Sequence, residues 1–575
     1  MNIRQLLDEK LTQALHQLGA PDSITALVKP SSRPEFGDFQ ANGVMAAAKQ
    51  LKMNPRELAN RLMETVDLST YADKTEIAGP GFINIHLKNE YLIDQSKVLL
   101  NQNTPEKVAH PQRIVVDYSG PNLAKEMHVG HLRSTIIGDA IARVLEYLGH
   151  EVIRQNHVGD WGTQFGMLIA HMLELQQSGA ELSLELADLE GFYRAAKVRF
   201  DSEPDFNERA RNYVVRLQAG DPECLELWQQ FIEISLHHSE VLYERLGVGL
   251  GRDHVKAESA YNEQLPQVIE HLKAQNLLVT SDGAQAVFLE GFKNKDNESL
   301  PVIVQKSDGG YLYATTDLAS IWYRSQVLKA DRVLYLVDAR QSLHFQQVFA
   351  LAKLAGFATS ETALEHMPFG TMLGKDGKPF KTRSGGTVKL AELLDEAEER
   401  ALLMVQEKST DLSTDEQQQV AKTVGVGAVK YADLAKNRLS DYVFDWDTML
   451  SLQGNTAPYL QYAYARSRSI LRKAGEWDAQ APLLVTEPAE RALALRILQL
   501  TDTLENVGRE GLPNYLCQYL YDLAGNIMGF YESCPILKEG VSPEIRASRL
   551  QWVQLASNTM RTGLSLLGIQ VMERM

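Results

Sequence analysis

Apolar residues recur along this chain with two periods, and the change from one to the other marks its organisation. Ile3, Leu6, Leu7, Leu11 and Leu15 share one face of a helix that ends before Pro21. Phe36-Gly37-Asp38-Phe39-Gln40-Ala41-Asn42 follows, then an alanine-rich helical stretch. Pro55 opens a further helix carrying Leu58, Leu62 and Met63. Gly79-Pro80-Gly81 breaks the pattern, and Phe82 to Leu87 alternates as a strand. Residues 1–110 therefore read as a small α/β domain, with a linker near 100–112 that holds Pro105 and Pro111.

From about 113 a strand–helix rhythm predicts a parallel sheet. Ile114-Val115-Val116 fits a buried strand. Leu132, Ile136, Ile137, Ile141, Val144, Leu145 and Leu148 then follow a helical period from a start near Gly130, with Gly149 as the cap. Glu151 to Asn156 makes the next strand, and a loop from His157 to Gly166 lies at its carboxyl end. That loop suits either close backbone approach to a ligand or a packed turn around Trp161. Residues 172–300 read as a mostly helical insertion.

Pro301–Lys306 and Tyr311–Tyr313 flank Ser307-Asp308-Gly309-Gly310 as a hairpin. Thr315, Thr316 and Asp317 stand where a helix start would want them, which also casts Asp317 as a cap. Arg332 to Val337 is a buried strand ending at Asp338-Ala339-Arg340-Gln341, and His366 to Leu373 is one more. Beyond 388 strand signals vanish. The fold class is α/β: a doubly wound, Rossmann-like parallel-sheet domain over 111–387, a small α/β domain before it, and an all-helical domain over 388–575.

Composition narrows the class. The chain has 575 residues, 44% hydrophobic and 23% charged, as expected for a soluble protein of several domains. No apolar run is long enough to span a bilayer, and the first ten residues carry acids without a signal core, so a cytoplasmic location and no membrane partner are expected. Three scattered cysteines, Cys224, Cys517 and Cys534, form neither a disulfide framework nor a zinc motif, and no metal site is expected. A formal charge of -16 argues against a generic nucleic-acid coat but leaves local basic grooves open.

The chemistry concentrates in Ser119 to Arg133, Ser-Gly-Pro-Asn-Leu-Ala-Lys-Glu-Met-His-Val-Gly-His-Leu-Arg. It joins a strand end to a helix start, the place where open parallel sheets bind phosphates. His128 and His131 bracket the helix start, Gly130 admits backbone approach, and Lys125 adds a cation. A second candidate is Gly374 to Gly386, which holds five glycines or prolines, three lysines, one arginine and a single acid. Such a loop suits a polyphosphate clamp, or a solvated hairpin. The chain lacks the P-loop pattern and the Gly-x-Gly-x-x-Gly of dinucleotide enzymes. Histidines with a lysine-rich loop favour attack at a nucleotide's α-phosphate. On the Tyr459, Tyr462, Arg466, Ile470 and Lys473 stripe, aromatics beside cations suit RNA contact and bundle packing equally well.

His128-Val129-Gly130-His131 matches the His-x-Gly-His element of class I aminoacyl-tRNA synthetases. The longer run from Ser119 to Thr135 resembles the bacterial-type arginyl-tRNA synthetases in particular. So do Gly159 to Gly166, Phe36-Gly37-Asp38 and Gly454 to Ala463, in family order across nearly the whole chain. The resemblance implies a ligase that forms arginyl-adenylate from arginine and ATP, then passes arginine to the terminal adenosine of tRNA(Arg). It further implies that the first step needs bound tRNA. ATP with magnesium would be a substrate complex, with no tightly bound cofactor, and the expected assembly is a monomer.

Carried over by motif, His128, His131, Pro121 and Gly130 would hold ATP. Ser119 and Asn122 would touch the amino-acid end of the substrate, and Tyr313, Asp317, Gln341 and Asp117 would line the arginine pocket. Where the family usually has Lys-Met-Ser-Lys, this chain has Phe380-Lys381-Thr382-Arg383-Ser384. Lys381 and Arg383 are the loop cations expected there, and Lys125 supplies the missing charge. The N-terminal domain, through Phe36, would contact the tRNA elbow. The C-terminal helices, through Tyr459, Tyr462 and Arg466, would read the anticodon.

Overall fold

Ile114, Val115 and Val116 are completely buried, each worth roughly 1.5–3 kcal/mol against exposure. A strand apolar on both faces needs cover on both, which a parallel sheet provides. The computed structural model describes residues 2–31, 33–102, 107–178, 188–380, 388–409 and 412–575. Its contacts divide the chain into two compact units, one of Met1–Glu106, Ser451–Ser565 and Gln570–Met575, the other of Lys107–Leu450 and Leu566–Ile569.

In the second unit four parallel strands run in the order Ala363–His366, Arg332–Tyr335, Arg113–Asp117, Glu151–Gln155. Val115 lies opposite Val333 on one side and Ile153 on the other. From Arg113–Asp117 the chain proceeds outward to Glu151–Gln155, and later returns to the opposite side at Arg332–Tyr335. The strand order thus reverses between Arg113–Asp117 and Arg332–Tyr335, where such sheets bind ligands at the strands' carboxyl ends. The helix Val129–Leu148 follows the first strand and ends at Gly149, in the left-handed region at φ 95°.

Several expectations are corrected. The stretch 172–300 is mostly helical as expected up to Ala274, but Val279–Ser281 and Ala284–Val287 then form an antiparallel sheet with Val302–Gln305. Asp282 and Gly283, both at positive φ, make the tight turn that joins the first two strands. The hairpin expected around Ser307–Gly310 closes with one bridge, Gln305 to Tyr311. Tyr313 then starts a helix, Tyr313–Trp322, instead of continuing a strand. Asp317 is inside that helix, whose cap position is Leu312, so it is not a cap. The strand expected over His366–Leu373 splits into Ala363–His366 and Met372–Leu373, with Pro368, which lacks an N–H, between them.

The helices Leu390–Lys408 and Thr414–Leu434 belong to the same unit as the parallel sheet. The contact boundary therefore falls after Leu450, where the sequence pattern placed it at 388. Within this unit Arg133, just after the histidines, pairs in full burial with Asp433 of the Thr414–Leu434 helix at 3.0 Å.

In the first unit, the Ile3–Gln17 helix is capped by Asn2 and buries Ile3, Leu7, Leu11 and Leu15. A four-stranded antiparallel sheet has the order Val28–Pro30, Phe39–Ala41, Phe82–Leu87, Ala72–Ala78. The helices Ala457–Ala474, Pro488–Leu498, Leu500–Glu510 and Asn514–Ser533 are its other large part. Cys224, Cys517 and Cys534 are buried and unlinked.

Candidate active site

After Asp117 the chain reverses through Ser119 at φ 73° and Gly120 at φ 52°. Ser119 is held there on all sides. Its N–H donates to Ser134 Oγ at 3.0 Å, its hydroxyl shares a 2.7 Å bond with Tyr243, and Thr135 Oγ1 donates to it at 2.9 Å. Gly120 N–H donates to Asn156 Oδ1 at 2.9 Å. The next residues knit the first rim loop to the second: Leu123 N–H donates to Gly159 O and Gly159 N–H to Pro121 O, at 2.9 and 3.0 Å. Asn122 Oδ1 accepts from Ala124 N–H, and Asn122 forms a bridge with Gly159. The two loops thus make one rim, with Pro121 and Asn122 at the seam.

The two histidines form a reciprocal cap. Gly130 N–H donates to His128 Nδ1 at 3.0 Å, and His128 N–H donates to His131 Nδ1 at 3.1 Å. Their rings lie 4.1 Å apart. Burial, then the proximity of Lys125, pulls the pKa of His128 below the usual value. Burial, with His128 beside it, takes His131 down to about 3. Both rings are therefore neutral at pH 7. Because each Nδ1 accepts a backbone proton, each ring proton sits on Nε2, and both rings offer an Nε2–H donor. A Cβ on Gly130 would come within 2.6 Å of the His128 ring, so the cap requires glycine.

Cations and the segment 388–390 adjoin this cap. Lys125 Nζ lies over the Tyr193 ring at 4.5 Å. Val129 N–H donates to Val388 O and Leu390 N–H to Met127 O, so the strand-like segment following the lysine-rich loop pairs with the histidine segment. Lys389 binds Glu126 and Asp188, both at 3.2 Å. Lys381 and Arg383 lie outside the described residues.

A pocket of acids completes the rim. Asp317 accepts from His344 Nε2 at 2.6 Å. Glu258 is pushed up to about 7 by burial and by the nearby carboxylates of Asp160 and Asp317. Asp160 is itself raised by burial, and is held by Ser259 N–H at 2.9 Å and Ser259 Oγ at 2.5 Å. Tyr313 is 71% exposed, and Glu258 raises its pKa after burial does. Gln341 is exposed on the short turn Ala339–Gln341. Among the described residues, none of the three acids has a lysine or arginine partner. Carboxylates left without a cation beside exposed phenol and amide groups make a site for a guanidinium or ammonium ligand.

Asp117 is different. It is committed to Arg324, a fully buried arginine whose Nη2 reaches its Oδ2 at 2.9 Å. Arg324 Nε also donates to Gln155 Oε1 at 2.7 Å. The Asp117 carboxylate expected in the ligand pocket thus serves an internal pair. Ser119, likewise, has its hydroxyl bonded twice to its own chain.

Three family models match this chain. The "tRNA synthetases class I (R), catalytic domain" matches residues 94–446. The "DALR anticodon binding domain" matches 460–575, and the "Arginyl tRNA synthetase N terminal domain" matches 5–87. The arginine–tRNA ligase of Laribacter hongkongensis is 58% identical, and that of Hahella chejuensis 57%, with 100% of both chains covered in each case. The chain belongs to the arginyl-tRNA synthetases.

Two solved arginyl-tRNA synthetases share its architecture. That of Plasmodium falciparum superposes with a TM-score of 0.86 at 30% identity, covering 100% of this chain and 99% of the other. That of Thermus thermophilus gives 0.83 at 27%, covering 100% of both.

The arginyl-tRNA synthetase sequence pattern pointed to two further surfaces. On the Ala457–Ala474 helix, Tyr462 is 40% exposed and Arg466 is exposed over the Tyr531 ring at 5.6 Å, while Tyr459 packs half-buried against Tyr521 at 5.8 Å. Phe36 is half-buried on a short turn. Glu258 escaped the sequence reading altogether. It stands in the short turn helix Glu258–Gln264, with no periodicity or motif around it. Its own N–H, donating to Val158 O at 3.1 Å, and the contact of Ser259 with Asp160 bring it to the rim.

Proposed function

We propose that the chain attaches L-arginine to tRNA(Arg) in two steps, with arginyl-adenylate as the intermediate. In the first, an oxygen of the arginine carboxylate attacks the α-phosphorus of ATP, and the bond to the bridging oxygen breaks to release pyrophosphate. In the second, a hydroxyl of the terminal adenosine of tRNA attacks the arginyl carbonyl and releases AMP. The observation that carries this reading is the juxtaposition, on one rim, of neutral imidazole donors and acids that have no lysine or arginine partner among the described residues.

The Nε2–H groups of His128 and His131 serve charge that builds on the phosphate oxygens. Loss of one such donor costs about 3 kcal/mol, a factor of hundreds in rate. Neutral donors suit this role because an Nε2–H of a neutral imidazole is far less acidic than an imidazolium and donates its hydrogen bond without passing the proton to the phosphate. Pro121 and Gly130 shape the same floor, and Lys125, with Lys381 and Arg383, adds positive charge. Magnesium accompanies ATP as part of the substrate.

Asp317 and Glu258 read the guanidinium, which is charged at every working pH, while Tyr313, Gln341 and Asn122 orient the rest of the amino acid. Citrulline, neutral and nearly isosteric, leaves these acids unpaired and is rejected. Phe36, Tyr459, Tyr462 and Arg466 are the tRNA-contacting side chains in this reading. The protein works as a cytoplasmic monomer. No described helix is long and apolar enough to cross a membrane.

Aminoacylation of total tRNA with each labelled amino acid in turn tests the reading. Arginine alone should be incorporated, and ATP–pyrophosphate exchange should need cognate tRNA. Charging by another amino acid at a comparable rate would overturn it.

A further inference from the structure

Asp317 is the acid of the pocket whose orientation matters most, and it lies in difficult surroundings. Glu258 lies close enough for the two carboxylates to repel whenever both are ionised. A short carboxylate beside another acid lowers its energy by turning away or by taking a proton, and either response would spoil a guanidinium site. Its only side-chain partner among the described residues is the imidazole of His344, whose Nε2 lies 2.6 Å from Asp317 Oδ2. Asp317 and His344 side chains are 18% and 31% exposed, so the bond forms at the pocket wall and not in the core.

His344 is itself well placed. It belongs to the Ser342–Leu354 helix, and its ring meets the buried ring of Phe345 edge-on at 5.4 Å. Phe345 in turn packs on Tyr335 at 5.2 Å and stacks on His366 at 4.8 Å, both in strands of the parallel sheet. Gln341 ends the turn just before the same helix, three residues earlier. The bond from His344 to Asp317 therefore joins the segment carrying Gln341 to the helix carrying Tyr313 and Asp317.

We propose that His344 is a positioning residue for arginine selection: its Nε2–H fixes one oxygen of Asp317 and leaves the other facing the substrate guanidinium. The proposal rests on the reading of Asp317 as an arginine-binding acid. The imidazole is a suitable holder because it donates one directed hydrogen bond without bringing a long, mobile cation into the pocket. A lysine there would neutralise the acid and compete with the substrate.

Steady-state aminoacylation by the full chain, with thermal melting of each variant, tests this. His344→Leu should raise KM for arginine about tenfold or more, the loss of a hydrogen bond to a charged group. KM for ATP should stay within about twofold, because the phosphate donors are elsewhere on the rim. His344→Gln, whose amide nitrogen can reach the place of Nε2, should restore most of the affinity. His344→Asn, with a shorter reach, should not. An unchanged KM for arginine in a folded His344→Leu protein would overturn the proposal. So would equal losses in the Gln and Asn variants, which remain informative if the Leu protein fails to fold. Asp317→Ala separates the two readings. If it leaves KM for arginine unaltered, the assignment of the pocket fails. If it raises KM while His344→Leu does not, only the positioning role fails.

Discussion

Arg491 grips Asp38 with both terminal nitrogens, Nη1 to Oδ1 at 2.7 Å and Nη2 to Oδ2 at 2.8 Å. The same guanidinium reaches Leu87 O at 2.9 Å and Asn89 Oδ1 at 3.0 Å, and Asp38 accepts from Leu87 N–H at 2.7 Å. Gly37, at φ 78°, passes so close to the Phe82–Leu87 strand that a Cβ would sit 2.5 Å from Ile85 O. Gly37 and Asp38 of the Phe36-Gly37-Asp38 element thus secure the N-terminal sheet to the Pro488–Leu498 helix, while Phe36 is half-buried.

Replacement of Asp38 by Asn should consequently destabilise the protein, by about 3 kcal/mol, because a buried charge pair loses one partner. Arg491→Lys should recover little, since an ammonium cannot supply the parallel pair of bonds. Chemical denaturation of the whole chain, following the first transition, measures both.

A stability effect is also expected at Asp117. Its substitution by Ala leaves the fully buried Arg324 guanidinium without its counter-charge, a loss of about 3–5 kcal/mol. If Asp117 bound arginine directly, the melting temperature would stay put and only KM would change. Calorimetry beside arginine titration separates the two outcomes.

Gly130→Ala should impair chemistry more than folding. The added methyl meets the His128 ring, which can swing aside, but swinging moves an Nε2–H donor away from the phosphate. We expect a fall of about a hundredfold in pyrophosphate exchange with little change in melting temperature. Equal loss of both would show that the helix start itself had collapsed.

His131 should remain neutral in the folded protein well below the ordinary histidine range. Its pKa of about 3 lies beneath the value of 6.5 for a free side chain, so the unfolded chain takes up a proton that the folded one refuses. The stability linked to this group is therefore full above pH 6.5 and is lost as pH falls from there towards 3. Nitrogen-15 spectra at pH 5.5 should show the Nε2–H neutral tautomer, and an imidazolium signal there would contradict the cap geometry.

Glu258 titrates in the opposite sense. Burial and neighbouring acids raise it to about 7, so much of it carries a proton in the free pocket at neutral pH. A bound guanidinium favours the ionised form, so arginine should bind more tightly as pH rises through 7, with a proton released on binding. The pH profile of KM for arginine, flattened in Glu258→Gln, is the measurement. In the absence of ligand the same raised pKa contributes stability below 4.5 that is lost as pH rises through about 7.

The strand, turn and helix around His128 were readable from the chain alone because the signals that mark them are local. A buried apolar run, a helical period and a capping histidine act within about twenty residues, and residue types report them directly. The Asp282-Gly283 hairpin was just as local, but it lay inside a stretch read as mostly helical. The same locality carried the family resemblance, since the rim loops keep their residues in order along the chain.

Partners far apart in sequence were another matter. Asp117 meets Arg324 across 207 positions, Asp38 meets Arg491 across 453, and Glu258 reaches Asp317 only through the fold. A carboxylate is the same in the sequence whether it faces a substrate or an internal arginine. Its surroundings decide, because desolvation and the nearest charge determine what a buried acid can bind. The sequence by itself determined the strand–turn–helix junction at His128 and the family. The tertiary structure decided which acids have no lysine or arginine partner among the described residues, since chain folding had already given Asp117 a guanidinium of its own.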